Sequence, residues 1–442
     1  MKLKILLINP WIHDFAACNL WSRPLGLFRV AELLSRYELD LAVIDCTGVS
    51  VQGKFGTGKY PKELIEKPAC IRSVPRRFGR YGMSPDEFRR TLAAHAPFDF
   101  VFITSIMSYW YPGVREVVGI IRESYGKVPV VLGGIYATLW DTHASTTSGA
   151  DFIYKGKIGE DISFVFHTFG FRIKKRITGG RSEGHERGEI PYYKLGLFAR
   201  SFAPLFTAAG CPHRCAYCAS PLLNDGFVRR EPQDVLGEIR ELYDMGTRDF
   251  AFYDDALLVD AGSHIKVILD EVIRQGLKAR FHCPNGLHAR FIDDEMASLL
   301  KKSGFVTLRL GFETADRTRQ KATGGKVTTG EVGRAVARLK ERGFTKRDIG
   351  VYLMYGLPGQ DIPEVKEGVE FLKGLDVKIH LAEYSPVPGT QCWNELLERG
   401  IIDSGIDPLM TNNTVFSFLY SGYDPGEVDK LRLQVKEYNA LR

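Results

Sequence analysis

The first 170 residues alternate short apolar runs with amphipathic segments. The apolar runs lie at 3–8, 39–44, 100–104, 128–132 and 152–154. Runs of this kind are typical of strands that are covered on both faces. Segments with apolar residues at helical spacing lie at 24–36, 85–94, 112–123, 138–147 and 160–168. This alternation predicts a parallel, doubly wound, Rossmann-like domain over 1–170, with ligands at the carboxyl ends of its strands.

The same alternation returns with a longer period after residue 200. Strands are predicted at 205–208, 250–253, 279–283, 306–311, 349–354 and 378–384. Helices are predicted at 232–245, 263–274, 293–302, 329–342 and 363–375. Six such units in an α/β chain predict a partial (β/α)6, TIM-like barrel over 201–390, with functional residues in the loops that follow the strands.

Three segments interrupt these patterns. Residues 47–81 are rich in Gly, Pro, Lys and Arg and are expected to form a long loop, either functional or a tolerated insertion. Residues 171–200 combine glycines with charges, which predicts a linker. The C-terminal tail, 391–442, is expected to be mostly helical.

Composition narrows the functional class. Of 442 residues, 44% are hydrophobic and 25% are charged, which excludes a disordered chain. The net charge of +6 is too mild to indicate nucleic acid, and no stretch approaches the ~18 apolar residues of a membrane helix. Eight cysteines are too few for a disulfide scaffold in a chain this long, so a cytoplasmic, reducing compartment is expected.

Three of the cysteines, Cys211, Cys215 and Cys218, lie within eight residues, directly after the first predicted barrel strand. Random placement would give this spacing roughly 0.003 times per chain. A disulfide would leave one cysteine over, whereas a structural zinc ion needs a fourth ligand, for which His213 is a strained candidate. An iron–sulfur cluster is favoured, because three cysteines on four irons leave one iron open for a substrate or cofactor.

This motif resembles that of the radical S-adenosylmethionine (SAM) superfamily. The resemblance implies a [4Fe–4S] cluster on the three cysteines, with SAM on the open iron. Electron transfer from the reduced cluster would cleave a C–S bond of SAM and yield a 5′-deoxyadenosyl radical. It further implies SAM contacts from residues near the other strand ends, which are Tyr217, Asp254, Asp255, Asn285, Glu313 and Gly356. For the acidic residues, a helix cap or a structural ion pair is the alternative reading.

The N-terminal domain resembles the cobalamin-binding domain of one branch of that superfamily. The resemblance implies a corrinoid site along Asn9, Ser105, Gly133, Gly134 and Gly156. The Asp-x-His-x-x-Gly motif that supplies a lower axial histidine in some cobalamin proteins is missing, and His13 follows the first strand without that pattern. The alternative is a domain that kept this fold for substrate or partner binding.

The resemblance therefore predicts a radical SAM enzyme that transfers a methyl group from cobalamin to an unactivated carbon. Cobalamin-independent cyclisation, rearrangement or sulfur chemistry is one alternative, and a non-catalytic, zinc-stapled binding protein is another. A reducing donor such as flavodoxin or ferredoxin is expected, and neither membrane nor nucleic acid is expected as a partner. The sequence identifies neither the substrate nor a catalytic side chain beyond the cofactor ligands.

Overall fold

The computed structural model describes residues 2–48, 51–159, 161–176, 189–197, 199 and 201–441. The start of the predicted helix at Glu160 and the glycine-rich part of the predicted linker, 177–188, lie outside these residues. The chain forms two compact units, Met1–Arg200 and Ser201–Arg442. None of the helices described is long and apolar enough to cross a membrane.

The first unit is built on the predicted parallel sheet. Its strands are β1 Lys4–Asn9, β2 Asp40–Asp45, β3 Phe100–Ile103, β4 Val130–Leu132 and β5 Phe152–Ile153. All pair in parallel in the order β5-β4-β3-β1-β2. The strand order reverses at β1 and β3, so their carboxyl ends form a switch point where doubly wound folds bind ligands.

Six helices connect these strands. They are α1 Leu25–Leu34, α2 Pro85–His95, α3 Tyr111–Tyr125, α4 Ile135–Leu139, α5 Asp141–Thr147 and α6 Ser163–Thr168. One face of the sheet is covered by α1 and α6, whose Leu27 and Phe166 pack with Ile5, Leu7 and Phe100 in one buried cluster. Burial on both faces explains the continuous apolar runs of the strands.

Residues 47–81, expected as a loop, contain short antiparallel strands. Val51–Gln52 and Gly58–Lys59 pair with each other, and Gly58–Lys59 also pairs with Cys18–Asn19. In a second small sheet, Gly79–Tyr81 is the central strand and pairs with Ile12–Asp14 on one side and Lys62–Leu64 on the other. Glycine and proline keep these strands to two or three residues, and strands this short show no alternation of apolar and polar positions.

The described residues of the predicted linker 171–200 pack on the first unit. Phe171 and Ile173 contact its main apolar cluster. Glu189 is buried and pairs with Arg29 at 2.6 Å and with Arg36 at 2.5 Å. The first compact unit therefore extends to residue 200.

The second unit carries the predicted six-stranded parallel sheet in sequential order. Its strands are β6 Ala203–Leu205, β7 Asp249–Phe252, β8 Arg280–His282, β9 Phe305–Glu313, β10 Ile349–Tyr355 and β11 Lys378–Glu383. In the described residues β6 and β11 are the edges, so the α/β fold is a partial barrel, as predicted.

The helices of the second unit follow the predicted positions within a few residues. They are α7 Ser220–Leu223, α8 Pro232–Asp244, α9 Ile265–Arg274, α10 Asp294–Ser303, α11 Arg317–Ala322, α12 Thr329–Glu341, α13 Ile362–Gly374, α14 Gln391–Glu398, α15 Asn413–Leu419 and α16 Pro425–Ala440. Local signals fix their starts, as at α12, where Thr328 and Glu331 form a capping box. The last three helices make the tail mostly helical.

The tail helix α16 closes the exposed edge of the barrel. The Asn439 side chain accepts a hydrogen bond from the Ile379 N–H at 2.9 Å and donates one to the Ile379 carbonyl at 2.8 Å. Ile379 lies in the edge strand β11. One amide side chain therefore satisfies both backbone groups of an edge residue that would otherwise lack a neighbouring strand.

The first barrel strand differs from its prediction, which placed it at 205–208. The observed β6 ends at Leu205, because the next backbone N–H groups leave the sheet. Thr207 and Ala208 donate their N–H groups to the Asp254 carboxylate, at 2.9 and 2.6 Å. Ala208 then begins a two-residue antiparallel pairing with Val228–Arg229.

A buried ionic group ties the amino ends of β7 and β8 together. The Asp249 carboxylate accepts two hydrogen bonds from Arg280, at 2.7 and 2.6 Å, and lies 3.1 Å from His282 Nε2. Burial lowers the pKa of His282 to about 4, so the imidazole is neutral near pH 7.

Replacing Asp249 by alanine is expected to destabilise the barrel by about 1–3 kcal/mol, because it leaves the fully buried Nε2 of His282 without its partner, whereas the partly exposed Arg280 can be solvated. Urea unfolding followed by circular dichroism measures the effect. Asp294→Ala is the matched control, since Asp294 is exposed and its pairs with Arg338 and Arg342 lie on the surface. Equal losses in the two variants would contradict this assignment.

Candidate metal centre

The three-cysteine loop lies between β6 and α7, at the carboxyl end of the barrel. All three thiols are partly buried and unpaired. The loop is fixed from two sides through Ala216, whose N–H donates to the Thr323 carbonyl at 3.2 Å and whose carbonyl accepts from the Cys392 N–H at 2.9 Å. The segment before α12 and the start of α14 therefore position the cysteines.

A buried lysine faces all three thiols. Lys326 shifts the pKa of Cys211, Cys215 and Cys218, and the cysteines together with Glu313 hold the pKa of Lys326 above its usual value despite burial. The Lys326 ammonium lies 3.6 Å from the Glu313 carboxylate. One cation thus lies close enough to the predicted metal ligands to act on all three.

Lys326 lies in the loop before α12, and its local sequence pattern does not predict a role at the cysteines. The signal that could have identified it is a basic residue in the Gly324-Gly325-Lys326 segment, which joins the fourth barrel strand to its helix. A loop after a barrel strand is where functional side chains concentrate.

Glu313 is held in a strained backbone conformation. It ends β9 with φ of 69°, in the left-handed region that non-glycine residues rarely adopt. Its side chain is largely buried and pairs with Lys326. Burial, followed by the charge of Glu313, raises the pKa of the neighbouring Tyr217 well above its usual value. Strain retained at a strand end is typical of functional positions.

The donor set fits an iron–sulfur cluster. Burial raises the pKa of the Cys215 thiol to about 11, and Lys326 opposes that shift. Binding to iron therefore requires loss of the thiol protons, which a nearby cation favours. Within the described ranges, no three His, Cys, Asp or Glu side chains form a group that could hold a single metal ion. A single zinc ion needs such a group, whereas cluster cysteines each bind a different iron.

The two predicted aspartates differ in environment. Asp255 is exposed, accepts a hydrogen bond from Ser220 Oγ at 2.5 Å, and raises the pKa of Cys211 and Cys218. Asp254 is buried instead, and its Oδ1 accepts from the Thr207 hydroxyl at 2.6 Å as well as from two backbone N–H groups. Asp255 thus lies beside the cysteines, while Asp254 shapes the chain just before them.

Burial raises the pKa of Asp254 to about 6, although the hydrogen bonds from Thr207 and Ala208 oppose this shift. The folded state therefore binds this proton more tightly than the unfolded state does. The stability that Asp254 contributes is complete below about pH 4 and is lost as the pH rises through about 6.

Asp254→Asn is consequently expected to stabilise the protein at pH 8, by up to about 3 kcal/mol, and to lose this advantage near pH 4. Urea unfolding between pH 4 and 8 measures the difference from the wild type. The exposed Asp255→Asn, which removes a carboxylate from the neighbouring position, is measured alongside as the control. A pH-independent difference for Asp254→Asn would refute the raised pKa.

Two further predicted SAM contacts lie at neighbouring strand ends. Asn285 follows β8, and its side-chain N–H donates to the Tyr253 carbonyl at 2.7 Å, which links the ends of β7 and β8. Gly356 follows β10, is buried, and donates its N–H to the Tyr423 hydroxyl at 3.2 Å. Tyr423 lies between α15 and α16, so the tail contributes to this part of the site.

A pair of neutral histidines packs beside the cysteine loop. The rings of His213 and His288 lie 4.9 Å apart, and burial lowers the pKa of both, that of His288 to about 3. Neither nitrogen of His288 has a partner among the described residues. His213, the candidate fourth zinc ligand, therefore packs against a second imidazole.

The predicted corrinoid residues all lie at the carboxyl ends of the strands of the first sheet. Asn9, Ser105, Gly133, Gly134 and Gly156 all end or follow parallel strands. The side chain of Asn9 donates to Asp45 at 2.8 Å and to Thr47 at 3.0 Å. A Cβ on Gly134 would lie 2.5 Å from the Ser105 carbonyl oxygen, whereas one on Gly133 or Gly156 would meet almost nothing. Part of this edge is thus closely packed and part is open.

His13 contacts a carboxylate of its own unit. It is buried, and its Nε2 lies 2.9 Å from the Glu116 carboxylate. The same carboxylate also pairs with Arg80, which holds Glu63 as well. The structure therefore places His13 in an ionic group that joins α3 to the small antiparallel sheet.

Comparison with known proteins agrees with this architecture. Residues 205–372 match the family model of the Radical SAM superfamily. An uncharacterized methyltransferase of Pyrococcus horikoshii is 24% identical over 233 residues, which cover 50% of this chain and 49% of that protein. The anaerobic magnesium-protoporphyrin IX monomethyl ester cyclase of Rubrivivax gelatinosus is 21% identical over 72% of this chain and 61% of its own length. This chain thus spans about half to three fifths of these relatives.

Solved structures share the fold over most of the chain. The radical S-adenosylmethionine methyltransferase TsrM of Kitasatospora setae, with cobalamin and a [4Fe-4S] cluster bound, superposes with a TM-score of 0.65. It is 18% identical, over 92% of this chain and 80% of its own. The cobalamin-dependent S-adenosylmethionine radical enzyme OxsB gives a TM-score of 0.51 at 12% identity, over 99% of this chain and 62% of its own. At these identities the likeness establishes the fold.

Proposed function

We propose that this chain is a radical SAM enzyme that binds a [4Fe–4S] cluster through Cys211, Cys215 and Cys218 and cleaves SAM reductively, because residues 205–372 match the family model of the Radical SAM superfamily. The observation that carries the proposal is the single loop that holds three partly buried thiols outside any disulfide, with the charge of Lys326 acting on all three. When bound, such a cluster supplies the electron that breaks a C–S bond of SAM to give the 5′-deoxyadenosyl radical.

The protein's own residues would bind and orient SAM. Lys326 offers a buried cation to the SAM carboxylate, and Asp255 offers an exposed carboxylate to its amino group. Glu313, fixed by its ion pair with Lys326, is an acceptor for ribose hydroxyls. Tyr217, which stays protonated because of its raised pKa, presents an aromatic ring beside the same site. The strain at Glu313 fixes this geometry before SAM binds.

We further propose that the first unit binds cobalamin and that the reaction is methyl transfer to an unactivated carbon. Support comes from the shared edge of predicted corrinoid residues and from the fold shared with TsrM, whose structure holds cobalamin. Since His13 is paired with Glu116, binding would occur without His13 as a ligand. Cobalamin would supply the methyl group, and a second SAM would restore it.

The testing experiment is anaerobic purification with cobalamin supplied, followed by iron, sulfide, cobalt and zinc analysis. SAM and dithionite are then added, and 5′-deoxyadenosine and S-adenosylhomocysteine are quantified. About four irons and four sulfides per chain with deoxyadenosine formed would support the radical reaction. Cobalt near one per chain with equal amounts of the two products in the presence of substrate would support methyl transfer. In the cell, a one-electron donor such as flavodoxin or ferredoxin would replace dithionite.

Other outcomes point to the alternatives. Iron without cobalt would leave radical cyclisation, rearrangement or sulfur chemistry, and would make the first unit a scaffold. Zinc without sulfide, and no cleavage of SAM, would refute the enzymatic proposal in favour of a metal-stapled binding protein.

A further inference from the structure

The side chains of β9 alternate between two environments. Leu308, Leu310 and Phe312 are fully buried, and Phe312 packs on Phe371 of α13 at 5.1 Å between ring centroids. The positions between them, Arg309 and Gly311, therefore point to the opposite face, the interior of the barrel.

Register places further polar side chains on this inner face. Arg309 pairs with Gly350 of β10, while Gly311 pairs with Tyr352, which in turn pairs with His380 of β11. The Tyr352 hydroxyl donates to the Pro284 carbonyl at 2.7 Å, at the end of β8. Because β9 lies between β8 and β10, the Tyr352 side chain crosses the inner face of the sheet.

Gly350 lets two of these side chains meet. A Cβ at this position would lie 2.5 Å from Arg309 Nη1 and 2.7 Å from His380 Nε2. The guanidinium group and the imidazole, which come from strands on either side of β10, therefore converge over the Gly350 backbone. No larger residue would permit this approach.

The charge of Arg309 is not matched by the protein. Its guanidinium contacts the Leu308 carbonyl at 3.4 Å and the Tyr352 hydroxyl. Across the described part of the chain, no carboxylate pairs with it. Burial lowers the pKa of Arg309, and only Tyr352 opposes that shift. Arg280, the other guanidinium at this sheet, instead has two hydrogen bonds to Asp249.

His380 adds an unused polar atom at the same point. Its Nε2 is buried and has no hydrogen-bond partner among the described residues. Burial, followed by the charge of Arg309, lowers the pKa of His380 to about 3, so the imidazole is neutral and can donate one N–H. A partly buried cation without a carboxylate partner and a buried, unused nitrogen are both costly unless a ligand satisfies them.

We propose that Arg309 and His380 form an anion subsite inside the barrel, which receives a carboxylate or phosphate group of the substrate. The guanidinium group would bind two oxygens of the anion, and His380 would donate to one of them. The inference rests on the proposed function, because it assigns a substrate class to that same barrel.

The position of the subsite also limits the substrate's length. Arg309 and Glu313 are four residue steps apart along β9, which corresponds to at most about 13 Å of strand. A substrate held by its anionic group at Arg309 would thus present its reacting carbon less than about 13 Å away, near Lys326 and the cysteines. This span suits an amino acid or a similarly small acid.

The subsite can be tested without knowing the substrate. Unfolding temperatures of the reconstituted protein are measured in phosphate, acetate and chloride at matched ionic strength. Phosphate or acetate is expected to raise the unfolding temperature of the wild type by about 2–4 °C relative to chloride. Whichever anion gives the larger rise indicates whether the subsite takes phosphate or carboxylate.

The variants test whether the shift comes from Arg309. Arg309→Met is expected to lose it, whereas the exposed Arg334→Met, which removes the same charge from the surface of α12, is expected to keep it. If Arg309→Met fails to fold, Arg309→Lys, which retains the charge but not the two-oxygen geometry, is expected to lose at least half of the shift. An equal shift in every variant would overturn the proposal as a general salt effect.

A crystal of the wild type grown with selenate gives a second, independent readout. An anomalous selenium peak within hydrogen-bond distance of Arg309 and His380 is expected, and an empty barrel interior would overturn the proposal. These measurements do not involve SAM cleavage. Deoxyadenosine assays of the wild type test the proposed function separately, so failure of one is distinguishable from failure of the other.

Discussion

Cys215→Ala is expected to lose the iron–sulfur cluster on anaerobic reconstitution and to lower deoxyadenosine formation by about 10³-fold or more, the scale seen when one member of a catalytic unit is removed. Cys215 is the central cysteine of the three, and Lys326 and Glu313 both act on its pKa. Two remaining cysteines cannot replace it, because each binds a separate iron.

Iron and sulfide analysis with the visible spectrum measures the loss. The matched control is Cys283→Ala, which removes a buried thiol from the end of β8 without touching the cysteine loop. The control is expected to retain iron, sulfide and deoxyadenosine formation near wild-type levels. Wild-type iron content in Cys215→Ala, or an equal loss in both variants, would contradict the ligand assignment.

Lys326→Met is expected to lower SAM cleavage by about 10²–10³-fold, the range typical for loss of one electrostatic group from a preorganised site. The substitution removes a cation that balances three thiolates and Glu313. It leaves Glu313 buried without its ion-pair partner, so the affinity for SAM is expected to fall as well.

Deoxyadenosine assays and SAM binding by isothermal titration measure these two effects. Lys326→Arg keeps the charge and is expected to recover part of the activity. Lys321→Met is the matched control, because Lys321 is exposed in the adjacent α11 and its replacement removes the same charge. Retention of full cleavage and affinity in Lys326→Met would show that the cation serves folding rather than SAM binding.

Both domains were predictable from the sequence, because the central strands of the first sheet are continuous apolar runs and most long helices carry an apolar face. The order of elements then fixed two parallel sheets. The prediction was wrong at the first barrel strand, placed at 205–208, because Asp254 captures the N–H groups of Thr207 and Ala208. A side chain 47 residues distant cannot be read from a local hydrophobic pattern.

The candidate site was predictable only where spacing is local. Cys211, Cys215 and Cys218 are recognisable because they lie on one loop. Lys326 and Arg309 were not recognised, since their roles arise from what surrounds them: three thiols in one case and no carboxylate in the other. Charge balance in a barrel interior depends on register and burial, which appear only when the strands are assembled.

The amide side chain of Asn439, which occupies both backbone groups of Ile379, has a consequence for self-association. An open barrel keeps an edge strand, and such an edge can pair with the same edge of another molecule and start aggregation. Asn439 blocks that edge near its amino end, at Ile379, and α16 packs against the same strand. The second unit can therefore keep its barrel incomplete, with a polar interior, without β11 becoming a template for intermolecular β-sheet.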